Sequence, residues 1–434
     1  MRVRLAYGQR EIDVPIPDRH PVDVLEKLPV PPIDDPVARV RDCLERPNAA
    51  PPLHELARGR RDAVIVVSDI TRPVPNAVLL PPILDALRAG GLLPEVVTIL
   101  VATGLHRPNT PAELDAVLGT EIARSLRIVQ HDARDAEAHR DLGRTAGGIP
   151  ILIDRFFLER DLRIITGLIE PHLMAGYSGG RKAVCPGLAA VETARVAHAP
   201  AMLEGHIGPG IVEGNPLHEG LVEVLRRVGV DFLVNVALDR HRNIAGVFCG
   251  HPEAAHAEGM AFVARESLVS LDEPADLVIT SGGGAPLDST FYQAIKGIST
   301  ASAIVKPGGA ILLCASLSEG IGSASFEKLI RECANPRDFE MRLSDDRFFA
   351  IDQWMVQHLC QAHRRARVLL YTDAIPPEAV AELLVEPVAS PEAGVTQVLA
   401  ELGPAARVAV LPQGPYVLAT VRGAVRPLGG DPPS

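Results

Sequence analysis

Residues 63–108 read AVIVVSDITRPVPNAVLLPPILDALRAGGLLPEVVTILVATGLHRP. The first five, Ala63 to Val67, are apolar and mostly β-branched, and such a run bounded by turn residues predicts a buried strand. The run breaks into Ser68-Asp69-Ile70-Thr71-Arg72-Pro73. A helix follows from about Ala77 to Ala89 and stops at Gly90-Gly91. Val96 to Val101 is a second strand, and it ends in the loop Ala102-Thr103-Gly104-Leu105-His106-Arg107-Pro108. Thr110-Pro111 opens another helix, with Thr suited to the N-cap and Pro to the first helical position. Strand, helix, strand, helix is the signature of a parallel sheet flanked by helices, so the chain is of the α/β class.

The same alternation continues on both sides. Ile149 to Ile153 and Leu162 to Leu168 read as strands, and the second runs straight into GLIEPHLMAGYSGGRKAVCPG, residues 167–187. Pro216 to Val228 is helical, Asp231 to Leu238 and Ile244 to Cys249 are strands, and Pro252 to Ser267 is helical. Near Asp272-Glu273-Pro274 the pattern restarts: Ala275 to Thr280 is a strand leading into Ser281-Gly282-Gly283-Gly284-Ala285-Pro286, then come a helix from about Thr290 and a strand from Ala310 to Ala315. Residues 271–274 are therefore a hinge between two α/β domains with mainly parallel sheets. The segments 406–411 and 416–421 read as a hairpin around Pro412-Gln413-Gly414-Pro415 that returns to the first domain. The expected division is 1–272 with 405–425, then 273–404, then a tail over 426–434 whose last residues, Gly429 to Ser434, are expected to be disordered. The opening MRVRLAYGQREIDVPIP alternates apolar and polar residues and predicts an edge strand or hairpin, not a signal peptide.

Composition narrows the class. In 434 residues, 47% are hydrophobic and 22% charged, enough for a core without disulfides. A formal net charge of −11 argues against nucleic acid as the main partner, because phosphate binding needs a basic surface. No apolar run approaches the ~20 residues of a membrane span. The six cysteines form no CxxC pair and read as reduced, buried thiols of a cytoplasmic protein. Cys185, inside the glycine-rich stretch, is kept as a candidate reactive thiol.

In parallel α/β sheets ligands gather beyond the carboxyl ends of strands. Four loops there carry more polar residues than a connector needs: 68–73, 103–108, 170–186 and 281–288. Arg72 can clamp a carboxylate with two parallel hydrogen bonds, or Asp69 and Arg72 simply pair to order a turn. His106 suits proton transfer near neutral pH, or is a surface histidine. His172 lies just past a strand, where its ring can face the same cleft as His106. Ser178-Gly179-Gly180 offers backbone N–H groups to an anion. Lys182 is a phosphate partner, a covalent attachment point through its amine, or an ordinary exposed lysine. Neither the P-loop nor the dinucleotide fingerprint is present. His198 ends a helix over 190–199 and by itself suits a structural role better than metal ligation. Tyr292 and Lys296, four apart, share one helical face and either complete a carboxylate or hydroxyl site or serve packing and solvation. Spacing and composition name no reaction.

Taken together, SDITRP at 68–73, TGLHRP at 103–108, PHLMAGYSGGRKAVCPG at 171–187, His198, SGGG at 281–284 and YQAIKG at 292–297 resemble the lactate racemase family, whose members carry a nickel-pincer nucleotide. The pieces come in the family's order and span most of the chain, and PHxxAGYSGGRKxxxPG is the specific one. The resemblance implies two α/β domains with the active site in the cleft between them. It implies a pyridinium-3,5-bisthiocarboxylic acid mononucleotide with nickel, joined to Lys182 as a thioamide. Ser178, Gly179, Gly180 and Trp354 are the other cofactor-binding candidates, and His198 is implied as the nickel ligand. His106 and His172 are implied as the acid/base pair of a 2-hydroxy acid racemase or epimerase that moves a hydride reversibly from the α-carbon to the cofactor. Asp69, Arg72, Tyr292, Gln293 and Lys296 are implied in substrate binding. Cofactor-biosynthesis proteins are the expected transient partners. The substrate stays open among lactate, malate, longer or aromatic acids and sugar acids. A dicarboxylate would need a further cation, from Arg181 or Arg107.

Three rival readings stand beside this one. A nicotinamide-dependent 2-hydroxyacid dehydrogenase shares the hydride chemistry but expects the missing glycine fingerprint. A non-enzymatic hydroxy-acid or anion-binding protein explains the cations but not two loop histidines beside a lysine. A zinc hydrolase using His172 and His198 lacks HExxH or comparable ligand spacing.

Overall fold

The computed structural model describes residues 1–345 and 347–423 and divides into two compact units. One is Pro29–Glu266; the other joins Met1–Leu28 to the chain from Ser267 onward.

In the Pro29–Glu266 unit, six strands lie in the order Ile244–Gly250, Phe232–Leu238, Leu162–Leu168, Ala63–Ser68, Val97–Ala102, Arg127–Gln130. All neighbours are parallel except the edge pair Ile244–Gly250 and Phe232–Leu238. Ala63 to Val67 are fully buried, with Ile65 set between Ile99 and Ile164, as a strand covered on both faces requires. The helix Asn76–Ala89 lays Leu79, Leu80, Ile83 and Leu87 on this sheet. Pro111–Leu118 opens with a reciprocal cap: the Glu113 N–H donates to the Thr110 hydroxyl at 3.3 Å, and the Thr110 N–H donates to the Glu113 carboxylate at 2.7 Å. The strand–helix order read from residues 63–118 is the one observed. Three adjacent strands, Leu162–Leu168, Ala63–Ser68 and Val97–Ala102, therefore carry three of the four polar loops side by side.

The second unit has six parallel strands ordered Glu386–Pro387, Ala366–Tyr371, Val305–Cys314, Ala275–Ser281, Val408–Leu411, Val22–Val24. The expected N-terminal hairpin is present, Arg2–Tyr7 against Arg10–Pro15. It belongs to this unit and not to the one that follows it in sequence. Val3, Leu5, Val14 and Ile16 enter the core of Leu277, Ile279, Leu312 and Val410. The expected C-terminal hairpin is corrected as well. Val408–Leu411, buried along its length, is an interior strand between Ala275–Ser281 and Val22–Val24, whereas Leu418–Val421 pairs in parallel with Leu268–Leu271. Segments 1–28 and 405–421 thus fall with the later half of the chain, and the break at Glu266/Ser267 lies a few residues before the expected hinge. The expected tail 426–434 lies outside the described residues.

Among the described residues no helix is long and apolar enough to cross a membrane. All six cysteines are free and buried.

Candidate active site

The loop after Ala63–Ser68 is organised by Asp69. Its Oδ1 accepts from the Thr71 N–H at 3.1 Å and from the Thr71 hydroxyl at 2.6 Å, which closes the turn. Its Oδ2 faces Nδ1 of His106 at 2.6 Å. The Asp69 side chain is 6% exposed and that of His106 43%, so a buried carboxylate anchors a ring whose far edge reaches solvent. Burial pushes the Asp69 carboxyl up. The bond to His106, its charge, the Thr71 hydroxyl and Arg72 outweigh that and hold it below the ordinary carboxylate range. A carboxylate only accepts, so His106 carries its proton on Nδ1 and turns the Nε2 lone pair outward. The local Asp69–Arg72 ion pair does not form. Arg72 donates to the Thr71 carbonyl at 3.2 Å and has no ion pair among the described residues.

His172 sits in a two-residue bridge, Pro171–His172 against Gly176–Tyr177, after Leu162–Leu168. Its Nδ1 accepts from the N–H groups of Met174 and Ala175, both at 3.2 Å. The ring proton therefore resides on Nε2. The turn closes because Gly176 takes φ +77°, and a side chain there would lie 2.4 Å from the Ile211 carbonyl oxygen.

The glycine run acts differently from expectation. The Ser178 N–H donates to the Glu170 carbonyl at 2.9 Å and the Gly180 N–H to Asn235 Oδ1 at 2.8 Å, so neither is presented to an anion. Ser178 Oγ is also spent, donating to the Leu168 carbonyl at 2.7 Å. What Gly179 and Gly180 supply is close approach: a Cβ would lie 2.6 Å from Asn235 Oδ1 and 2.5 Å from the His256 ring respectively. The turn delivers Lys182, partly exposed, into the site. Burial first, then the charges of Arg181 and Arg72, push its amine down to about 7. A large fraction is then neutral and nucleophilic near neutral pH, which an ordinary surface lysine is not. The Gly104 N–H donates to the Gly187 carbonyl at 3.1 Å, so the second and third loops are tied together.

His198 caps the helix Val191–Ala197. Its Nδ1 donates to the Ala194 carbonyl at 2.8 Å, which places the lone pair on Nε2. Burial pushes its pKa down to about 4, against the effect of the Ala194 carbonyl and with that of Lys182. A neutral imidazole with an oriented Nε2 lone pair fits one bond to a metal. Among the described residues no group of three His, Cys, Asp or Glu side chains could hold a metal ion. His198 thus offers a single imidazole donor, and no protein-only zinc cluster with His172 is found among the described residues.

Several expectations are settled by partners. Cys185 is fully buried and burial pushes its thiol up to about 12, so it is not the reactive thiol considered for it. Arg107 is clamped to Glu113 by two bonds, at 2.8 and 2.6 Å. Arg181 is 1% exposed and donates to the Ala175 carbonyl at 2.5 Å. Arg107 is thus already paired with a carboxylate of the protein, whereas Arg181 has only neutral acceptors among the described residues.

Tyr292, Gln293, Lys296 and Trp354 belong to the other unit. Tyr292 and Lys296 stand one turn apart on the helix Phe291–Ser302, capped by Thr290. Trp354, offered as a packing surface for the cofactor, donates its indole N–H to the Tyr292 hydroxyl at 2.9 Å. It holds that hydroxyl in place together with the edge-on ring of Phe326, 5.1 Å away. Asn235 and His256, which support the glycine turn, were not singled out from the sequence. The signal was there for Asn235, a single amide in the otherwise apolar run Phe232–Leu238.

Comparison with known proteins shows the family. The family described as "Lactate racemase N-terminal domain" matches residues 7–208, and "Lactate racemase C-terminal domain" matches 271–419. A lactate racemase of Thermoanaerobacterium thermosaccharolyticum is 35% identical over 351 residues, 80% of this chain and 82% of that protein. One of Lactiplantibacillus plantarum is 34% identical over 379 residues, 86% of this chain and 89% of that protein. The structure of the T. thermosaccharolyticum apoprotein superposes with a TM-score of 0.91 at 31% identity, covering 96% of this chain and all of that one. A Thermotoga maritima protein of known structure shares the fold, with a TM-score of 0.68 at 18% identity over 89% of this chain and 99% of that one.

Proposed function

From the premise that the chain belongs to the lactate racemase family and is an isomerase acting on a hydroxy acid, we propose that it inverts the α-carbon of a 2-hydroxy monocarboxylate, lactate first among them. The observation that carries this reading is the pair of histidines, His106 with its Nε2 lone pair outward and His172 with its proton on Nε2, on loops that follow strands of one sheet. Mirror-image substrates present their hydroxyls to opposite sides, so inversion needs one proton acceptor and one donor that exchange roles between directions. Arg72, which has no ion pair among the described residues, binds the substrate carboxylate. His106 Nε2 takes the hydroxyl proton of one enantiomer and His172 Nε2–H returns a proton on the other face.

Lys182 is the attachment point for a nickel-pincer nucleotide, its depressed amine pKa suiting acylation, and His198 Nε2 is the protein ligand to the nickel. The chemistry such a group supplies is reversible uptake of a hydride from the substrate α-carbon. We extend substrate binding to Tyr292, Gln293 and Lys296 because they open one helix, with Tyr292 fixed by Trp354. A drop in kcat/KM in Lys296→Met tests that extension.

The decisive experiment uses protein made beside the cofactor-synthesis proteins, with an adduct verified on the Lys182 peptide by mass. Incubation with L-lactate, without NAD, is followed by loss of optical purity. Inversion supports the proposal. Adduct-bearing protein that racemises neither lactate nor a panel of longer 2-hydroxy acids overturns it and favours the binding-protein reading.

A further inference from the structure

A cavity of about 360 Å³ opens between the helices Pro216–Val228 and Pro252–Ser267, on the side of the glycine turn lined by Arg181. The guanidinium of Arg181 donates to the Ala175 and Tyr177 carbonyls at 2.5 and 3.3 Å and meets His256 Nδ1 at 3.5 Å. All three are neutral acceptors: His256 donates from Nε2 to the Ser178 carbonyl at 2.9 Å, which leaves Nδ1 as the lone pair. No carboxylate pairs with Arg181 among the described residues, and its buried Nε has no hydrogen-bond partner. A buried cation without a counter-charge is a costly arrangement. Nor can the histidines replace the missing partner. Burial and the Arg181 charge push His218 and His256 down to about 3, so both are neutral. His218 Nδ1 is likewise buried without a partner and borders the same cavity.

The rest of the wall is of two kinds. Val222, Leu225 and Met260 make an apolar side. At the rim, Glu253 is already neutralised by Arg226 through two bonds of 2.8 and 2.6 Å, and Glu219 is exposed and accepts from the Gly214 N–H. Glu219 has no cationic partner among the described residues either, but it lies exposed at the rim; the uncompensated charge that is buried is the guanidinium of Arg181, and the space beside it is lined by aliphatic side chains. We propose that this cavity is a second ligand site, which takes a small organic monocarboxylate with its carboxylate at Arg181 and His218 and its aliphatic body against Val222, Leu225 and Met260. Inorganic phosphate satisfies the cation but leaves the apolar wall unfilled.

The test uses the full-length protein expressed without the cofactor-synthesis proteins, so that it does not depend on racemase activity. Butanoate, which lacks the 2-hydroxyl, is titrated while the imidazole resonances of His218 and His256 are followed by nitrogen-correlated NMR. Saturable shifts of both are expected. In Val222→Trp, where a half-buried residue fills the apolar side without touching Arg181, the dissociation constant should rise roughly tenfold or more. Arg72→Ala should leave it unchanged, which separates this site from the substrate carboxylate site. Arg181→Met should lose binding, and Val222→Trp carries the test if that variant does not fold. The proposal fails if butanoate moves neither histidine, if Val222→Trp binds as tightly as the parent, or if phosphate shifts both residues at lower concentration than butanoate.

Discussion

The carboxylate of Asp69 holds Nδ1 of His106 at 2.6 Å, and that bond decides which nitrogen of the ring does chemistry. Asp69→Asn keeps the shape but removes the charge that selects the tautomer and stabilises the imidazolium formed on proton uptake. We expect kcat to fall roughly a hundredfold or more with KM near the parent value, while nickel content stays unchanged. A matching fall in nickel content would show instead that the site had collapsed.

His106→Gln and His172→Gln should each reduce racemisation by roughly two to four orders of magnitude. Starting from the two enantiomers in turn gives the sharper readout. Both variants should be defective in both directions, because each direction uses both rings. A variant that racemises at the parent rate removes that residue from the mechanism.

Arg72 stands half-buried without an ion pair among the described residues. Arg72→Lys keeps the charge and loses the planar fork. A charge-assisted bond of roughly 1.5–3 kcal/mol is at stake, so kcat/KM should fall about ten- to a hundredfold, chiefly through KM. Steady-state kinetics on both enantiomers measures it.

Lys182 should be modified by an amine-selective acylating reagent, in protein lacking the cofactor, with a pH midpoint near 7. The same depression costs stability in the unmodified protein, with a definite sign. Below the folded value both states are protonated and the full penalty applies. Between about 7 and the ordinary 10.5 the unfolded chain holds a proton that the folded one lacks, so stability rises with pH. Lys182→Met should therefore raise Tm most below pH 7, and the gain should shrink as pH climbs toward 10.5. A gain independent of pH would assign the effect to packing.

His198→Ala removes the single oriented Nε2 lone pair proposed for the metal. Metal analysis should show loss of nickel while mass mapping still finds the adduct on the Lys182 peptide. Full nickel retention would mean that the metal is held by other groups.

Gly180→Ala forces φ +52° on a residue with a Cβ and drives that atom to 2.5 Å from the His256 ring. Strain and overpacking together should cost about 1–3 kcal/mol, read as a lower denaturant midpoint.

Much of this was legible in the sequence because local chemistry decided it. The β-branched run at 63–67, the Thr110-Pro111 cap and the Gly90-Gly91 stop announce their structure within a few residues. So do the loops holding Asp69, His106 and His172. The rest depended on partners far away in sequence. Whether Asp69 bonds Arg72 or His106 is settled by a loop 37 residues on. The N–H groups of Ser178 and Gly180 are claimed by the Glu170 carbonyl and the Asn235 amide oxygen, which local reading cannot foresee. The terminal segments escape local reading for the same reason, since the pattern of Val408–Leu411 fits an interior strand as well as a hairpin arm, and only its neighbours distinguish them.

Val22–Val24 pairs with Val408–Leu411, a stretch translated almost four hundred residues later. During synthesis Val22–Val24 therefore waits for a neighbouring strand not yet made, while the intervening Pro29–Glu266 unit completes its own sheet without the later half of the chain. That order favours folding of the middle of the chain first, with the ends closing last by a pairing of very long sequence separation. A ribosome stalled far enough beyond Glu266 for that residue to have left the exit tunnel should thus present a folded lysine-bearing unit preceded by an unpaired, protease-sensitive Val22–Val24 segment.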